Sequence, residues 1–327
     1  MTKKHFAGTA IILSMIFFIL FFLYLPIEVS GQRAGNIWFL MINAGFLAVT
    51  AAIMAGFVLI VFVKREYVKH QMTIFTRFRH LLFLMVKRDF VTRYRRSVLG
   101  ILWSLLNPLL TMLVLTMVFS LIFRFEIPDV PFPVYLLSGQ IIYGLFSEST
   151  SQAMGSITGG AGIIKKVYVP KYVFPVSRVL SSLVNFFFAF IAFLLVMIVT
   201  QASFNWTILL VPIPLLYVFI FSLGVGMLLS SMAVFFRDLT YIYGIFISLL
   251  MFLTPIFYPV SILPDRVYHL IHLNPLFHYV TYFRDLAIYG VIPGLWANII
   301  CLGFALAALG CGLYVTMSQQ DKYILYL

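Results

Sequence analysis

Charged residues are scarce in this chain. Of its 327 residues, 10% are Asp, Glu, Lys or Arg and 63% are hydrophobic, whereas a soluble domain has about 25% charged and roughly 45–50% apolar residues. This composition excludes an ordinary soluble domain and predicts a protein that crosses a membrane several times. The net charge is +12. Because the basic residues lie between membrane-length apolar runs, this charge indicates membrane lipids or an acidic protein as partners. We expect no nucleic acid, because the chain has no soluble basic domain to bind it.

Cysteine is almost absent as well. Cys301 and Cys311 both lie in the last apolar run, and ten residues on one helix separate them by roughly 15 Å. A disulfide needs Cα atoms within about 7 Å of each other, so these two cannot bridge within one chain. Two cysteines do not make a metal site either, and we interpret both as small apolar side chains.

Motifs for catalysis and nucleotide binding are also missing. The glycine-rich stretch 155–162 reads GSITGGAG, but no Gly-Lys-Ser/Thr follows it, as a phosphate-binding loop would require. Neither G-x-S-x-G nor H-E-x-x-H occurs. His269 and His272 would share one helical face, but without a converging carboxylate we interpret them as polar residues of an interfacial helix. We expect no catalytic residue, no metal and no cofactor in this chain.

Long apolar runs make up most of what is present. A bilayer crossing needs about 20 mainly apolar residues, and eight runs qualify: 7–25, 38–63, 99–123, 134–157, 173–200, 207–234, 239–257 and 293–317. The first run follows Lys3 and Lys4, as in a secretory signal, but it is long enough that we expect a retained helix. The predicted fold is all-α and polytopic, with about eight transmembrane helices.

Basic residues fix the predicted orientation. With the N-terminus in the cytoplasm, 18 of the Lys and Arg residues fall on the inner side and 4 on the outer side, which together are the 22 in the sequence. Inner loops carry an excess of Lys and Arg. We therefore predict a multi-pass membrane protein with both termini cytoplasmic.

Residues 70–98 form one of two segments that are not simple spans. Apolar residues recur there at spacings of three and four, with Arg and Lys on much of the remainder. This pattern is typical of a helix lying in the membrane interface, and the alternative is a solvated run of charges. The apolar stripe comprises Phe78, Leu82, Met85, Val86, Phe90, Tyr94 and Val98.

Residues 258–291 form the second such segment, which is too polar for a crossing and is bounded on both sides by the outer surface. Its polar residues are Asp265, Arg266, His269, His272, His278, Arg284 and Asp285. Pro259, Pro264 and Pro275 divide the segment into short pieces, and Pro255 lies just before it. We predict a shallow re-entrant hairpin of short helices in the outer leaflet. Because non-helical backbone at that depth survives only against protein or a wet cavity, we expect it to line an exit route.

Three isolated charges are candidate gate residues: Glu148, Arg237 and Asp238. Glu148 lies inside a predicted span, where an ionisable residue is by default a functional hypothesis. The interpretation we favour is an ion pair with an arginine of the interface helix, which would make Glu148 important for assembly. Arg237 and Asp238 either cap helix ends or form a latch against the interface helix.

The inner loop around 159–180 is more elaborate than a connecting turn requires. It reads GGAGIIKKVYVPKYVFPVSRVL and places four basic residues among two prolines. We predict that a partner on the aqueous side contacts this loop.

Three stretches together resemble the membrane subunits of ABC-2 type exporters, especially those for lipid-linked O-antigen, capsule and teichoic-acid polymers. They are RYRRSVLGILWSLLNPLL at 93–110, GIIKKVYVPKYVFPVSRVL at 162–180, and the run 236–286, which contains LNPLFHYVTYFRDL. The likeness covers about residues 70–320. It implies an ABC-2 type transmembrane domain at 67–327, preceded by an additional transmembrane hairpin at 1–66 that departs from the family's six-span core.

The resemblance implies a partner and a way of working. Two copies of the chain would pair around a conduit, and two copies of a separate ATPase subunit, which binds ATP and Mg²⁺, would dock below. A coupling helix at 160–171 would enter a cleft of that ATPase, with Ile163, Ile164 and Val167 as an apolar knob. The full set of coupling candidates is Ile163, Ile164, Lys165, Lys166, Val167, Tyr168, Pro170 and Lys171.

The resemblance also implies a polysaccharide substrate, as in lipopolysaccharide biosynthesis. Arg88, Arg93, Arg95 and Arg96 would bind its pyrophosphate-linked lipid head. Aromatic residues would line its path, although each has the alternative of packing between helices or facing lipid; they are Trp103, Tyr143, Phe146, Tyr243, Phe252, Phe257 and Tyr258. Two other functions stay open: an ABC-2 exporter of drugs or small lipids, and, less favoured because carboxylates are few and scattered, a membrane-embedded polyprenyl-dependent glycosyltransferase.

Overall fold

The structure, a computed structural model, describes residues 65–95, 99–122, 127, 130–167, 169–264, 271–320 and 322–326. The predicted hairpin at 1–66 falls almost entirely outside the described residues. The described part of the chain is helical and contains no strand, so the predicted all-α class is confirmed.

Eleven α-helices are described, and we number them in chain order. They are α1 (Arg65–Tyr94), α2 (Leu102–Thr116), α3 (Phe132–Met154), α4 (Ser156–Gly159), α5 (Ala161–Ile164), α6 (Val173–Val199), α7 (Pro212–Phe235), α8 (Leu239–Leu253), α9 (Pro275–Arg284), α10 (Leu295–Gln319) and α11 (Tyr323–Tyr326). Short π-helical turns extend α2 to Ile122 and α9 to Tyr289, and 3₁₀ turns lie at Trp206–Leu210 and Val260–Ile262.

Four of the described helices are long and apolar enough to cross a membrane: Leu102–Ser120, Val173–Val199, Trp206–Phe235 and Leu295–Gln319. Each lies within a few residues of a predicted run. Helix α3 coincides with the predicted run 134–157 but carries more polar residues, and most of its side chains are buried inside the protein.

Helix α8 corrects one predicted span. The apolar run was predicted to continue to residue 257, but the helix ends at Leu253. Thr254 has extended backbone (ψ 125°) because it precedes Pro255, and the residue before a proline is driven out of the α conformation. The 15 residues of α8 make a helix of about 22 Å, which is shorter than a bilayer core.

The main core forms around α3, which packs against α6, α7 and α9. Leu136, Leu137 and Ile142 of α3 are fully buried, together with Phe193 of α6 and Phe283 of α9. Helix α7 in turn lies along α10. The centre of the fold is therefore protein against protein, with α3 shielded from lipid on most sides.

Helix α1 confirms the predicted helical segment but corrects its surroundings. The stripe residues Leu82 and Met85 are buried in a cluster with Ile157, Ile164 and Phe174. The centre of the apolar stripe thus packs on the chain's own loop and on α6, and the position of the helix in the membrane interface stays a prediction. Periodicity shows that a helix face is apolar, but it does not show what covers that face.

The segment after α8 contains the predicted short helices. Helix α9 starts at Pro275, where the missing N–H leaves no unsatisfied donor, and the side chain of Asn274 accepts a hydrogen bond from the N–H of Leu276 at 3.0 Å. Tyr279 and Phe283 of α9 are fully buried, so this helix is packed into the protein core. Asp265, Arg266 and His269 lie outside the described residues, and the position of the segment in the outer leaflet stays a prediction.

Candidate functional site

Glu148 is the centre of a polar network that joins three helices. One carboxylate oxygen, Oε1, accepts hydrogen bonds from Arg93 Nη1 of α1 at 2.6 Å, from Gln152 Nε2 of α3 at 2.8 Å and from Asn185 Nδ2 of α6 at 2.6 Å. Tyr94 donates to Asn185 Oδ1 at 3.3 Å. The predicted pairing of Glu148 with an arginine of the interface helix is confirmed.

The charge state of Arg93 is reinforced by this partner. Burial lowers the pKa of Arg93, but attraction and hydrogen bonding to Glu148, with a smaller contribution from Tyr94, raise it more, so that the pKa ends above its ordinary value. The guanidinium therefore stays positive, and Glu148 has a permanent counter-ion.

A second ion pair lies one turn earlier on α1. Arg178 Nη1 of α6 is 2.8 Å from Asp89 Oδ2, and Arg88 Nη2 is 3.2 Å from Asp89 Oδ1. The hydroxyl of Ser181 also faces this carboxylate, at 3.5 Å. Helix α1 is thus joined to the membrane-length helix α6 by charge as well as by apolar packing.

The larger cavity lies between the end of α1 and helices α2, α3 and α6, and it has a volume of about 620 Å³. Four aromatic residues, Tyr94, Trp103, Tyr143 and Phe186, line it together with many uncharged polar residues and the pair Arg93 and Glu148. The lining residues include Trp103, Ser104, Asn107, Thr111, Gln140, Tyr143, Gly144, Ser147 and Asn185.

The smaller cavity, of about 510 Å³, adjoins the larger one and shares Arg93 and Asn185 with it. Its other lining residues include Arg88, Asp89 and Arg178. The two cavities therefore meet at Arg93 and Asn185, beside the end of α1.

The predicted path aromatics separate into three groups. Trp103 and Tyr143 line the larger cavity, and the Tyr143 hydroxyl donates to the carbonyl of Ile247. Phe252 is exposed and Tyr258 is half-buried. Phe146, Tyr243 and Phe257 are as buried as Tyr143 but are not among the residues that line that cavity.

Contacts inside the protein occupy the rings or the hydroxyl of these last three aromatics. The Phe146 ring stacks on Phe221 at 5.3 Å between centroids, and the Phe257 ring stacks on Phe119 at 5.2 Å. The Tyr243 hydroxyl donates to Thr150 Oγ1 at 2.5 Å. These side chains hold helices together and do not face an open path in this structure.

The predicted lipid-head arginines differ from one another in their surroundings. Arg88 and Arg93 are engaged by carboxylates, and Arg95 is exposed at the end of α1. Arg96 lies outside the described residues. Carboxylate pairing leaves Arg88 and Arg93 less able to bind a phosphate than the sequence alone suggested.

The predicted coupling loop contains the short helices α4 and α5 followed by a turn. Ile164, Pro170 and Lys171 are buried and Ile163 is half-buried, so the expected apolar knob is mostly packed inside this chain. Among the described residues 160–167 and 169–171, the exposed side chains are those of Lys165, Lys166 and Val167, with Val167 58% exposed. Tyr168 lies outside the described residues.

Arg237 and Asp238 are exposed at the start of α8. The backbone carbonyl of Asp238 accepts hydrogen bonds from Tyr241 and Ile242, but its side chain caps no N–H of the described helix. In the described ranges, neither residue forms an ion pair with α1, so the predicted latch is not formed in this structure.

Asn107, Gln140, Gln152 and Asn185 are site residues that the sequence analysis missed. Each is an amide inside or beside an apolar run, and a polar side chain at such a depth is itself a signal of function. The signal was present, but the sequence cannot show that the four residues, on three different helices, face one place.

Arg284 was counted as an outer-loop residue, but it is buried under α3. It donates to the carbonyls of Pro255 at 2.8 Å and Tyr135 at 3.2 Å and to the Ser138 hydroxyl at 3.1 Å. Its guanidinium carbon lies 3.6 Å from the centre of the Tyr135 ring. This residue fixes α9 and the chain after α8 to α3.

These features define a polytopic α-helical membrane protein whose amphipathic helix is attached, through ion pairs, to a polar cavity among its membrane-length helices. Residues 80–288 match the model of the ABC-2 type transporter family, and the chain belongs to this family. Residues 1–79 lie outside the matched region.

Relatives with described roles agree with this family. The chain is 31% identical to the O-antigen export system permease protein RfbA of Klebsiella pneumoniae over 250 residues, which cover 75% of this chain and 95% of the relative. It is 32% identical to the RfbA protein of Myxococcus xanthus over 64% of this chain and 80% of the relative. It is 26% identical to the polysialic acid transport protein KpsM of Escherichia coli over 72% and 92% of the two chains.

Proposed function

We propose that this chain is the permease subunit of an ATP-driven exporter that moves a lipid-linked polysaccharide across the bacterial cytoplasmic membrane. The observation that carries the proposal is the likeness to O-antigen permeases along nearly their whole length. The polar cavity, with Trp103 and Tyr143 in its walls, supports it, because an apolar drug or lipid would not need so many hydrogen-bonding groups. Two copies of the chain and two ATPase subunits complete the proposed exporter.

The exposed turn Lys165–Val167 is the proposed contact with the ATPase, which binds ATP and Mg²⁺. This turn follows Ile164, which belongs to the same buried cluster as Leu82 and Met85 of α1. A force applied to the turn therefore reaches α1 and α6 through close-packed side chains, which transmit displacement because protein interiors are nearly incompressible.

Nucleotide binding drives the cycle only if the ATPase prefers one state of the permease. A ligand shifts a conformational equilibrium by no more than its difference in affinity for the two states. We propose that the closed ATPase dimer binds the spacing that the two coupling turns adopt when the conduit is open. The permease supplies the path and its partner supplies the energy.

Reconstitution with a separately purified ABC ATPase subunit, sought among the reading frames next to this gene, tests the proposal. The wild-type pair is expected to move a labelled lipid-linked glycan into proteoliposomes only with ATP. The double variant Lys165→Glu/Lys166→Glu should lose copurification of the ATPase, because it reverses the charge of the contact. Lys322→Glu, which changes an exposed lysine elsewhere, is the matched control and should keep it. Transport without the ATPase, or equal copurification of both variants, contradicts the proposal.

A further inference from the structure

We infer that the larger cavity binds an uncharged glycosyl unit, with Gln140 and Asn107 as its hydrogen-bonding residues. The inference rests on the proposed function and deepens it, because it states which part of the substrate contacts which residues within a single chain. Four observations carry it: unsatisfied polar groups, aromatic walls, the balance of charge and open space at Gly144.

Polar groups of the cavity lack partners within the described part of the protein. Gln140 Oε1 is buried and accepts no hydrogen bond from any described residue. Asn107 and Thr111 also face this cavity; both are exposed, and neither side chain bonds to another described residue. For Gln140, a buried acceptor without a partner is costly, and more so at membrane depth. These groups therefore suit water or a ligand that has hydroxyls.

Aromatic rings supply the apolar part of the site. Trp103 is 46% exposed and Tyr143 faces the same space. The hydroxyl of Tyr143 is occupied by the Ile247 carbonyl, so its ring is held as a wall. A sugar ring has apolar C–H faces and hydroxyls around its edge, and this combination of ring walls and amide groups matches both.

Charge distinguishes a sugar from a phosphate at this site. Arg93 and Glu148 are the two charged residues among the described ones that line the larger cavity, and they neutralise each other at 2.6 Å. A phosphate would have to take Arg93 away from Glu148 and would leave that carboxylate without its counter-ion. An uncharged glycosyl unit leaves the pair intact, and the volume of about 620 Å³ lies within the usual range of roughly 300–1,000 Å³ for ligand pockets.

Gly144 offers a way to fill the cavity without disturbing the fold. A Cβ atom added at Gly144, which lines the cavity, would meet no described atom within 4 Å. A larger side chain there extends into the cavity from a helical position that tolerates it. Gly244 of α8 also has open space around an added Cβ but is not among the residues that line the cavity, which makes it a matched control.

Photolabelling with a glycosidic amphiphile tests the inference. The full-length chain in lipid nanodiscs is labelled with an octyl glucoside that carries a diazirine, and the labelled peptides are identified by mass spectrometry. Labelling of the peptides that contain Trp103 or Tyr143 is expected in the wild type. Gln140→Leu, Asn107→Leu and Gly144→Leu should each reduce it about tenfold, which corresponds to the loss of one buried hydrogen bond or of the space itself.

The controls separate a specific site from general detergent binding. Gln319→Leu removes the same amide outside the cavity, and Gly244→Leu adds the same side chain elsewhere; both should label like the wild type. Excess octyl glucoside should compete for labelling, whereas tetraethylene glycol octyl ether and octyl phosphate, which have the same alkyl chain, should not. Competition by octyl phosphate alone, no labelling in the wild type, or equal labelling of Gln140→Leu and Gln319→Leu overturns the inference.

The same variants separate this inference from the proposed function. ATP-dependent glycan export that continues unchanged in Gly144→Leu contradicts the glycosyl site but leaves the exporter standing. Labelling that follows the expected pattern in a chain that exports no glycan supports the site and contradicts the exporter.

Discussion

At the scale of single residues, one carboxylate oxygen accepts three side-chain hydrogen bonds. Glu148 receives three hydrogen bonds from α1, α3 and α6 on one oxygen. Hydrogen bonds to a charged group are about twice as strong as neutral ones. Because Arg93 and Asn185 come from α1 and α6 and Glu148 lies on α3, this carboxylate helps to hold α1 against the two membrane-length helices.

Replacing Glu148 by Gln tests this role. The amide keeps the shape but leaves the Arg93 charge without a partner, so we expect a loss of roughly 1–2 kcal/mol in stability and a lower yield of assembled protein. Turnover per assembled molecule should change little. The double variant Arg93→Gln/Glu148→Gln, which removes both charges, should lose less than the two single losses combined. Normal assembly with abolished transport would instead make Glu148 a transport residue.

Arg284 is a second residue whose geometry makes a prediction. Lysine cannot reproduce the planar fork that donates to the carbonyls of Pro255, Tyr135 and Ile256 and to a hydroxyl. Arg284→Lys should therefore lower the free energy of unfolding by about 1–3 kcal/mol, measured by thermal unfolding in detergent. Gly139→Ala should act in the same direction, since its Cβ would lie 2.9 Å from Arg284 Nη2. Arg237→Lys, at an exposed position, is the control; an equal loss there would contradict the explanation.

At the scale of helices, α7 and α10 approach each other at glycines. A Cβ on Gly224 would overlap the backbone carbonyl of Ala308, and one on Gly312 would overlap the backbone carbonyl of Gly224. Small residues at a crossing allow membrane helices to pack backbone against backbone. This contact holds the last long helix to the rest of the protein.

Alanine substitutions at two glycines test the crossing, because they are expected to change the stability of the protein in opposite directions. Alanine normally stabilises a helix by roughly 0.5–1 kcal/mol relative to glycine, and Gly244→Ala, which has open space, should follow that rule. Gly224→Ala should instead destabilise the protein by about 1–3 kcal/mol through overpacking. Thermal unfolding of the purified chain measures both, and stabilisation by Gly224→Ala would show that the helices are farther apart than described.

The positions of the helices along the chain were more predictable from the sequence than the elements that each helix packs against. The apolar runs placed α2, α6, α7 and α10 within a few residues, because length and hydropathy are local properties. The end of α8 was missed although Pro255 was visible, since hydropathy was followed past the proline. The partner of the α1 stripe and the burial of Ile164 could not be predicted, because both depend on which helices meet.

The site was predictable only in part, for the same reason. An unpaired acid inside a span indicates a basic partner, which is why the pairing of Glu148 with α1 was found. Asn185 lies 37 positions away from Glu148, and nothing in the sequence relates them. Trp103 and Tyr143 were selected together with Phe146 and Phe257, because aromatic content does not distinguish a cavity wall from a packed core.

At the scale of the whole molecule, the described parts form a connected path from the exposed turn to the cavity. The turn Lys165–Val167 follows Ile164, Ile164 packs in one cluster with α1, and α1 ends at Arg93 and Tyr94 beside the larger cavity. Every step of this path is a close contact within one chain. The proposed energy source lies outside it, in the partner ATPase.

A cysteine introduced at Val167 provides the most direct measurement of this account. Val167→Cys is placed in a chain whose own cysteines are replaced, since Cys311 is exposed, and a membrane-impermeant thiol reagent is applied to intact cells and to inverted vesicles. We expect labelling in inverted vesicles alone, loss of that labelling when the ATPase binds, and crosslinking of the introduced thiol to the ATPase. Labelling from outside intact cells, or no protection and no crosslink with the ATPase bound, would contradict the account.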